Sequence, residues 1–168
     1  LIDVTGNGGG SEWVEEMIAL FTDRTLTRDA ARVVAPACDR NGVWRGTRPA
    51  CDAFDDTRET ATIVGTGAWR GPVYVLVDGS TASAAEDLVA WLKQNDVATV
   101  LGGRTLGAGC GYVDGGTVTH LSQVPIDVWM PNCAPFLADG TNEVDGIPPD
   151  VPLAPSAAPA LTSWLEAH

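Results

Sequence analysis

Residues 71–103 constrain what this chain can become more than any other stretch. GPVYVLVDG (71–79) is a β-rich run bounded by Gly-Pro and Asp-Gly. STASAAEDLVAWLKQND (80–96) carries Leu88, Val89, Trp91 and Leu92 at the spacing of one helix face, and VATVLGG (97–103) is a second apolar run. Strand, helix and strand within about thirty residues form a βαβ unit. A parallel pair of strands needs a crossover of this kind, and the two strands, covered on both faces, read as continuous apolar runs. The expected class is therefore α/β.

The flanking segments fit this centre. LIDV (1–4) reads as a short buried strand entering the glycine turn TGNGGG. SEWVEEMIALFTDR (11–24) is expected to be a helix with Trp13, Met17, Leu20 and Phe21 on its buried face. Ser11 stands as its N-cap, and Glu12, Glu15 and Glu16 lie near the positive end of its dipole. Residues 24–68 are rich in Arg, Asp, Thr, Gly and Pro and are read as an irregular insertion of short strands and loops. GTVTHL (116–121) and VPIDVWM (124–130) alternate as strands, GIPPDVPL (146–153) is extended because its prolines forbid helix, and ALTSWLEAH (160–168) closes the chain as a helix.

At 168 residues the chain is long enough for a single domain, and 45 % hydrophobic against 19 % charged residues excludes a disordered polymer. No apolar run reaches the ~20 residues of a membrane span, so membrane insertion is not expected. The net charge of −12 would repel a phosphate backbone, which makes nucleic acid and anionic membranes poor partners. Leu1 opens directly onto an apolar run that needs strand neighbours, so residues 1–168 are read as one domain forming the C-terminal portion of something longer. Homo-oligomerisation, or pairing with the upstream segment, would cover the exposed sheet edge.

The four cysteines, Cys38, Cys51, Cys110 and Cys133, show no metal-ligand spacing, and no metal or other cofactor is expected. Their even number in a loop-rich acidic chain favours disulfides and a secreted or periplasmic location. Three pairings are possible, of which Cys38 with Cys51 would close a short polar loop and leave Cys110 with Cys133. Four buried free thiols is the other reading.

Ser83 stands at the junction between the strand 71–79 and the following helix. A serine there can attack a carbonyl while the backbone amide of Ala84 helps hold the resulting oxyanion. The same residues also spell a capping box, Ser83-x-x-Glu86, which needs no catalysis. The TGNGGG turn lacks the Walker pattern and a dinucleotide fingerprint, but three consecutive glycines let a backbone approach a ligand closely.

IDVTGNGGG, PVYVLVDGSTASAAED, VLGGRTLGAG and EVDGIPPDV, in this order between residues 2 and 151, resemble the signature blocks of the C-terminal processing (tail-specific) serine peptidases. That family also includes the tricorn core protease and the interphotoreceptor retinoid-binding proteins. The resemblance implies a crotonase-like α/β core of repeated ββα units with a mixed sheet. It further implies an endopeptidase acting on peptide or protein substrates, with Ser83 as nucleophile and the amides of Gly9 and Ala84 as oxyanion hole. Members with a Ser–Lys dyad carry the lysine at the position of Ala108 here. Lys93, the only lysine, lies ten residues along the helix from Ser83, about 15 Å at the helical rise, and Arg104 stays protonated. The chain is therefore similar to the tricorn-like Ser–His–Glu branch. Glu143, three residues before Gly146 in EVDGIPPD, matches the glutamate that orients the histidine, and the histidine itself would come from upstream of Leu1.

Other residues read more plainly. His120 is expected to be a half-buried strand residue, and His168 is terminal. Asp150 is expected to brace a turn. DGTNEVDG (139–146) does not spell a calcium loop, and Thr5 replaces an arginine usual in the family. A non-catalytic ligand- or peptide-binding domain on the same fold is the alternative function, favoured by Ala108. A crotonase-type acyl-thioester enzyme shares the two-amide geometry but gives Ser83 no role.

Overall fold

The computed structural model describes residues 1–10, 14–33, 59–109, 117–130, 133–153 and 158–167. Its centre is a parallel sheet of four strands, in the order β1 (Ile2–Asp3), β5 (Tyr74–Val77), β6 (Thr99–Gly102) and β10 (Val151–Pro152). Helix α2 (Ala84–Gln94) is the crossover between β5 and β6. It buries Leu88, Val89, Trp91 and Leu92, the face expected from their spacing, alongside the sheet residues Val75, Val77 and Val100. Of the mixed sheet expected from the family resemblance, only the parallel part is central among the described residues. Antiparallel pairing is confined to separate two-stranded ribbons, because a crossover helix returns the chain in the same direction.

Helix α1 (Val14–Ala19) packs on α2. Its buried residue is Ile18, while Met17 and Leu20 are exposed, so the apolar face expected from Trp13, Met17, Leu20 and Phe21 is displaced by one position. With both Met17 and Ile18 apolar, the spacing cannot fix which one faces inward. Trp13 and the Ser11 cap lie outside the described residues.

The stretch read as irregular has regular ends. β2 (Thr25–Asp29) pairs with β4 (Thr60–Val64) over five residues in antiparallel register. β2 alternates outward and inward, with Leu26 and Arg28 buried. A short β3 (Arg32–Val33) pairs with β9 (Cys133–Ala134). Cys133 is disulfide-bonded, and the other three cysteines lie outside the described residues. β7 (Thr117–His120) and β8 (Asp127–Met130) form the alternating hairpin read from the sequence, and α3 (Ala158–Ala167) closes the chain.

Candidate active site

The loops that leave β1 and β5 are sewn together at the end of the sheet. Asp78 Oδ1 accepts the N–H of Gly6 at 3.0 Å and of Ser80 at 2.9 Å. Thr81 Oγ1 donates to Val4 O at 2.9 Å, and Ala82 N–H donates to Asn7 O at 2.9 Å. The Gly6 amide is the main cause holding the Asp78 carboxyl below its ordinary value of 3.8. This stitching brings Gly9 onto Ser83. A Cβ built at Gly9, whose φ is +98°, would stand 2.6 Å from Ser83 Cβ and 3.0 Å from Ala84 N. Only glycine allows that approach.

Ser83 itself has φ 55° and ψ −125°, a strained conformation for a residue with a side chain. Both halves of the capping box are in place, with Glu86 Oε2 accepting Ser83 N–H at 3.0 Å and the Ser83 side chain facing the Glu86 N–H. A hydroxyl that accepts there keeps its own proton, so the cap does not exclude a second role.

Glu86 does far more than cap. Its buried carboxylate accepts Thr105 Oγ1–H and Gly107 N–H on Oε1, and Ala108 N–H at 2.9 Å on the same Oε2 that holds Ser83. Ala108 therefore stands beside Ser83, where the resemblance places the lysine of the dyad, and offers only a methyl group. Thr105 Oγ1 accepts Ile147 N–H at 2.7 Å. A Cβ at Gly107 would lie 2.2 Å from Val144 O, so the 104–109 loop and the turn carrying Glu143 interlock at contact distance.

Glu143 opens a 3-10 turn (Glu143–Asp145) capped by Asn142, whose Oδ1 accepts Val144 N–H. Only 3 % exposed, it pairs through Oε1 with Arg28, which also pairs with Asp87. Burial pushes the Glu143 carboxyl above its ordinary value of 4.5, opposed by the positive charge of Arg28. Gly10, Ser83, Ala84, Asp87, Arg28 and Glu143 all line one cavity of ≈ 530 Å³, together with Glu15 and Asp29.

Three of the four expected site residues, Ser83, Ala84 and Glu143, thus share this cavity. The fourth, Gly9, lies against Ser83 but donates its N–H to Asn7 Oδ1 at 2.9 Å, while Gly10 lines the cavity. Lys93 pairs with Asp150, whose Oδ2 also accepts Val100 N–H at 2.8 Å. Asp150 is accordingly a brace, and Lys93 is held away from Ser83. His120, expected to be half-buried, has a side chain 77 % exposed on the hairpin, its Nδ1 2.6 Å from Asp127 Oδ1. Among the hairpin's described side chains none is buried and only Val118 and Thr119 are partly covered, so strand alternation there carries little burial. His168 lies outside the described residues. Arg28 was not singled out by the sequence, although the alternation of TLTRD marks it as inward-facing; Glu86 was visible only as a cap.

Residues 1–152 match the sequence profile of peptidase family S41. The chain belongs to this family. Its fold is similar to that of a candidate peptidase from Parabacteroides merdae, with 20% identity, TM-score 0.68, and coverage of 95% of this chain and 46% of that chain. It is also similar to the photosystem II D1 C-terminal processing protease (24% identity, TM-score 0.59, 92% of this chain and 34% of that chain). Mature CPAF is a third (20% identity, TM-score 0.63, 90% and 38%). The chain spans less than half the length of each of these family-like structures. A search of curated protein sequences returns no match.

Proposed function

We propose that this chain carries the nucleophile-bearing part of a serine endopeptidase of the Ser–His–Glu type, on a crotonase-like core. Ser83 attacks the scissile carbonyl of a peptide or protein substrate, and the amide of Ala84 with one from the Gly9–Gly10 pair receives the oxyanion. A histidine from a segment preceding Leu1 takes the serine proton, and Glu143 fixes that imidazole and stabilises its charged form. A secreted or periplasmic location belongs to the same proposal. The observation that carries it is the strained backbone of Ser83, packed against Gly9 beside the Ala84 amide. Strain of this kind at a strand-to-helix turn presents a nucleophile and is not needed for a cap.

The test is fluorophosphonate labelling of the parent polypeptide, with the adduct located by peptide mass spectrometry. An adduct on Ser83, abolished in Ser83→Ala, is the expected outcome. Absence of any adduct on the folded protein would overturn the assignment.

Three observations favour a second reading, the non-catalytic binding domain. Glu143 is engaged by Arg28, the Gly9 amide by Asn7, and Ala108 replaces the lysine of the dyad. Under that reading Ser83 never labels, and the cavity retains a peptide without cleaving it.

A further inference from the structure

We infer that Arg28 is a positioning residue for Glu143, anchoring one carboxylate oxygen and leaving the other for the base; this rests on the peptidase reading above. Arg28 lies on the inward face of β2 and is only 6 % exposed. Its NH2 group meets Glu143 Oε1, and its NH1 group meets Asp87 Oδ1. Asp87 lies one helical turn beyond Ser83, so a single planar guanidinium connects the glutamate turn to the helix that presents the nucleophile. Among the described residues, Glu143 Oε2 accepts no hydrogen bond. The carboxylate is thus divided, with Oε1 fixed to the scaffold and Oε2 left without a partner in a residue that lines the Ser83 cavity.

The chemistry requires an arginine. A carboxylate as buried as Glu143 is costly without a cation. The charges facing it are Arg28 from β2 and the carboxylates of Asp87 and Glu86 from α2, so Arg28 is the only favourable one among them. Lysine would restore the charge but not the fork that spans two carboxylates in one plane. The pairing with Glu143 crosses 115 residues of sequence, between elements that do not share a strand ladder. It therefore acts as the tie that sets the distance between Glu143 and Ser83.

The experiment uses the parent polypeptide with Arg28→Met, Arg28→Lys and Asp87→Asn. It reads the fluorophosphonate labelling rate of Ser83 against pH, and the carbon-13 carboxyl titration of Glu143 by NMR. Labelling is expected to fall by up to about a hundredfold in Arg28→Met, the cost of misplacing a catalytic group by about 1 Å. Arg28→Lys should recover part of it, with the acid limb of the profile moved to higher pH in both variants. If cooperatively folded Arg28 variants label at the wild-type rate with the wild-type profile, the inference is overturned. If Arg28→Met does not fold, the half-exposed Asp87→Asn takes its place: slower labelling, with the acid limb moved to lower pH because a carboxylate that raises Glu143 is gone, supports the inference, and labelling at the wild-type rate overturns it. If the wild type itself never labels, the peptidase reading fails, and the Glu143 titration alone decides. A midpoint raised in Arg28→Met supports Arg28 as its anchor, and an unmoved midpoint overturns it.

Discussion

The two sides of the candidate site are held by different forces. Around Ser83 the restraint is backbone and shape: Gly9 packed onto Ser83 Cβ, the Asp78 and Thr81 bonds to the β1 loop, and four donors converging on Glu86. Around Glu143 the restraint is charge, a buried carboxylate tied to a buried guanidinium. Those bonds fix backbone conformation, and the Asp78 carboxylate among their acceptors fails only in acid. An ion pair of this kind depends on protonation and on a partner 115 residues away. Within one cavity, the serine side should therefore be intolerant of added volume, and the glutamate side intolerant of altered charge.

The sharpest way to break this comparison is Gly9→Ala. The added methyl would overlap Ser83 Cβ and the Ala82 carbonyl, in a backbone conformation that alanine resists. Ser83 labelling should fall by more than about a hundredfold, as when an oxyanion donor is lost. Gly8→Ala, where nothing lies within 4 Å, is the control and should label normally. Equal labelling of the two variants would remove the steric account.

Acid and alkali should act on the two sides with opposite sign. Asp78 is held below 3.8 in the fold, chiefly by the Gly6 amide. Its contribution to stability is present above that value and is lost as pH falls through the lowered folded value. Glu143 is raised above 4.5 by burial, so the folded state binds its proton more tightly than the unfolded chain does. Its contribution is greatest below 4.5 and declines as pH climbs through the raised value, then levels. Urea unfolding of wild type, Asp78→Asn and Glu143→Gln across pH would expose this as difference curves of opposite slope. Slopes of the same sign would end the distinction.

The smallest effect is expected at Lys93. Lys93→Met removes the ion pair with Asp150, while Asp150 keeps its backbone bonds to Val100. Stability should drop by no more than about 1 kcal/mol, with Ser83 labelling unchanged. A loss of labelling would reinstate the lysine as a participant.

What was legible in the sequence follows the same division. The βαβ unit, the glycine turn and the Ser83–Glu86 pair are local, so periodicity and spacing expose them within a few residues of one another. Short strands occur in 24–68 as expected, but the β2–β4 pairing is not legible because a long polar stretch separates them, leaving only five alternating residues on each side. Arg28 was missed for a related reason. Alternation in TLTRD puts Arg28 on the face of Leu26, but nothing near it in sequence supplies the carboxylate it needs until the fold brings Glu143 beside it. Glu86 was read as a cap because only one of its four donors is near in sequence. The face of α1 was misjudged by one position, since a six-residue helix offers too few turns to fix its phase.

The strand that carries Arg28 is held on both of its edges. The side-chain amide of Asn95, at the end of α2, takes the place of a strand partner for Thr27, with Nδ2 donating to its carbonyl at 3.2 Å and Oδ1 accepting its N–H at 3.3 Å. Across the ribbon, Ala30 N–H closes on Glu59 O at 2.8 Å. Arg28 is thereby flanked on both edges of its strand by bonds to α2 and to β4. Swinging its guanidinium away from Glu143 requires both edges to part together, so the tie should open only as the ribbon unfolds and not by a side-chain flip.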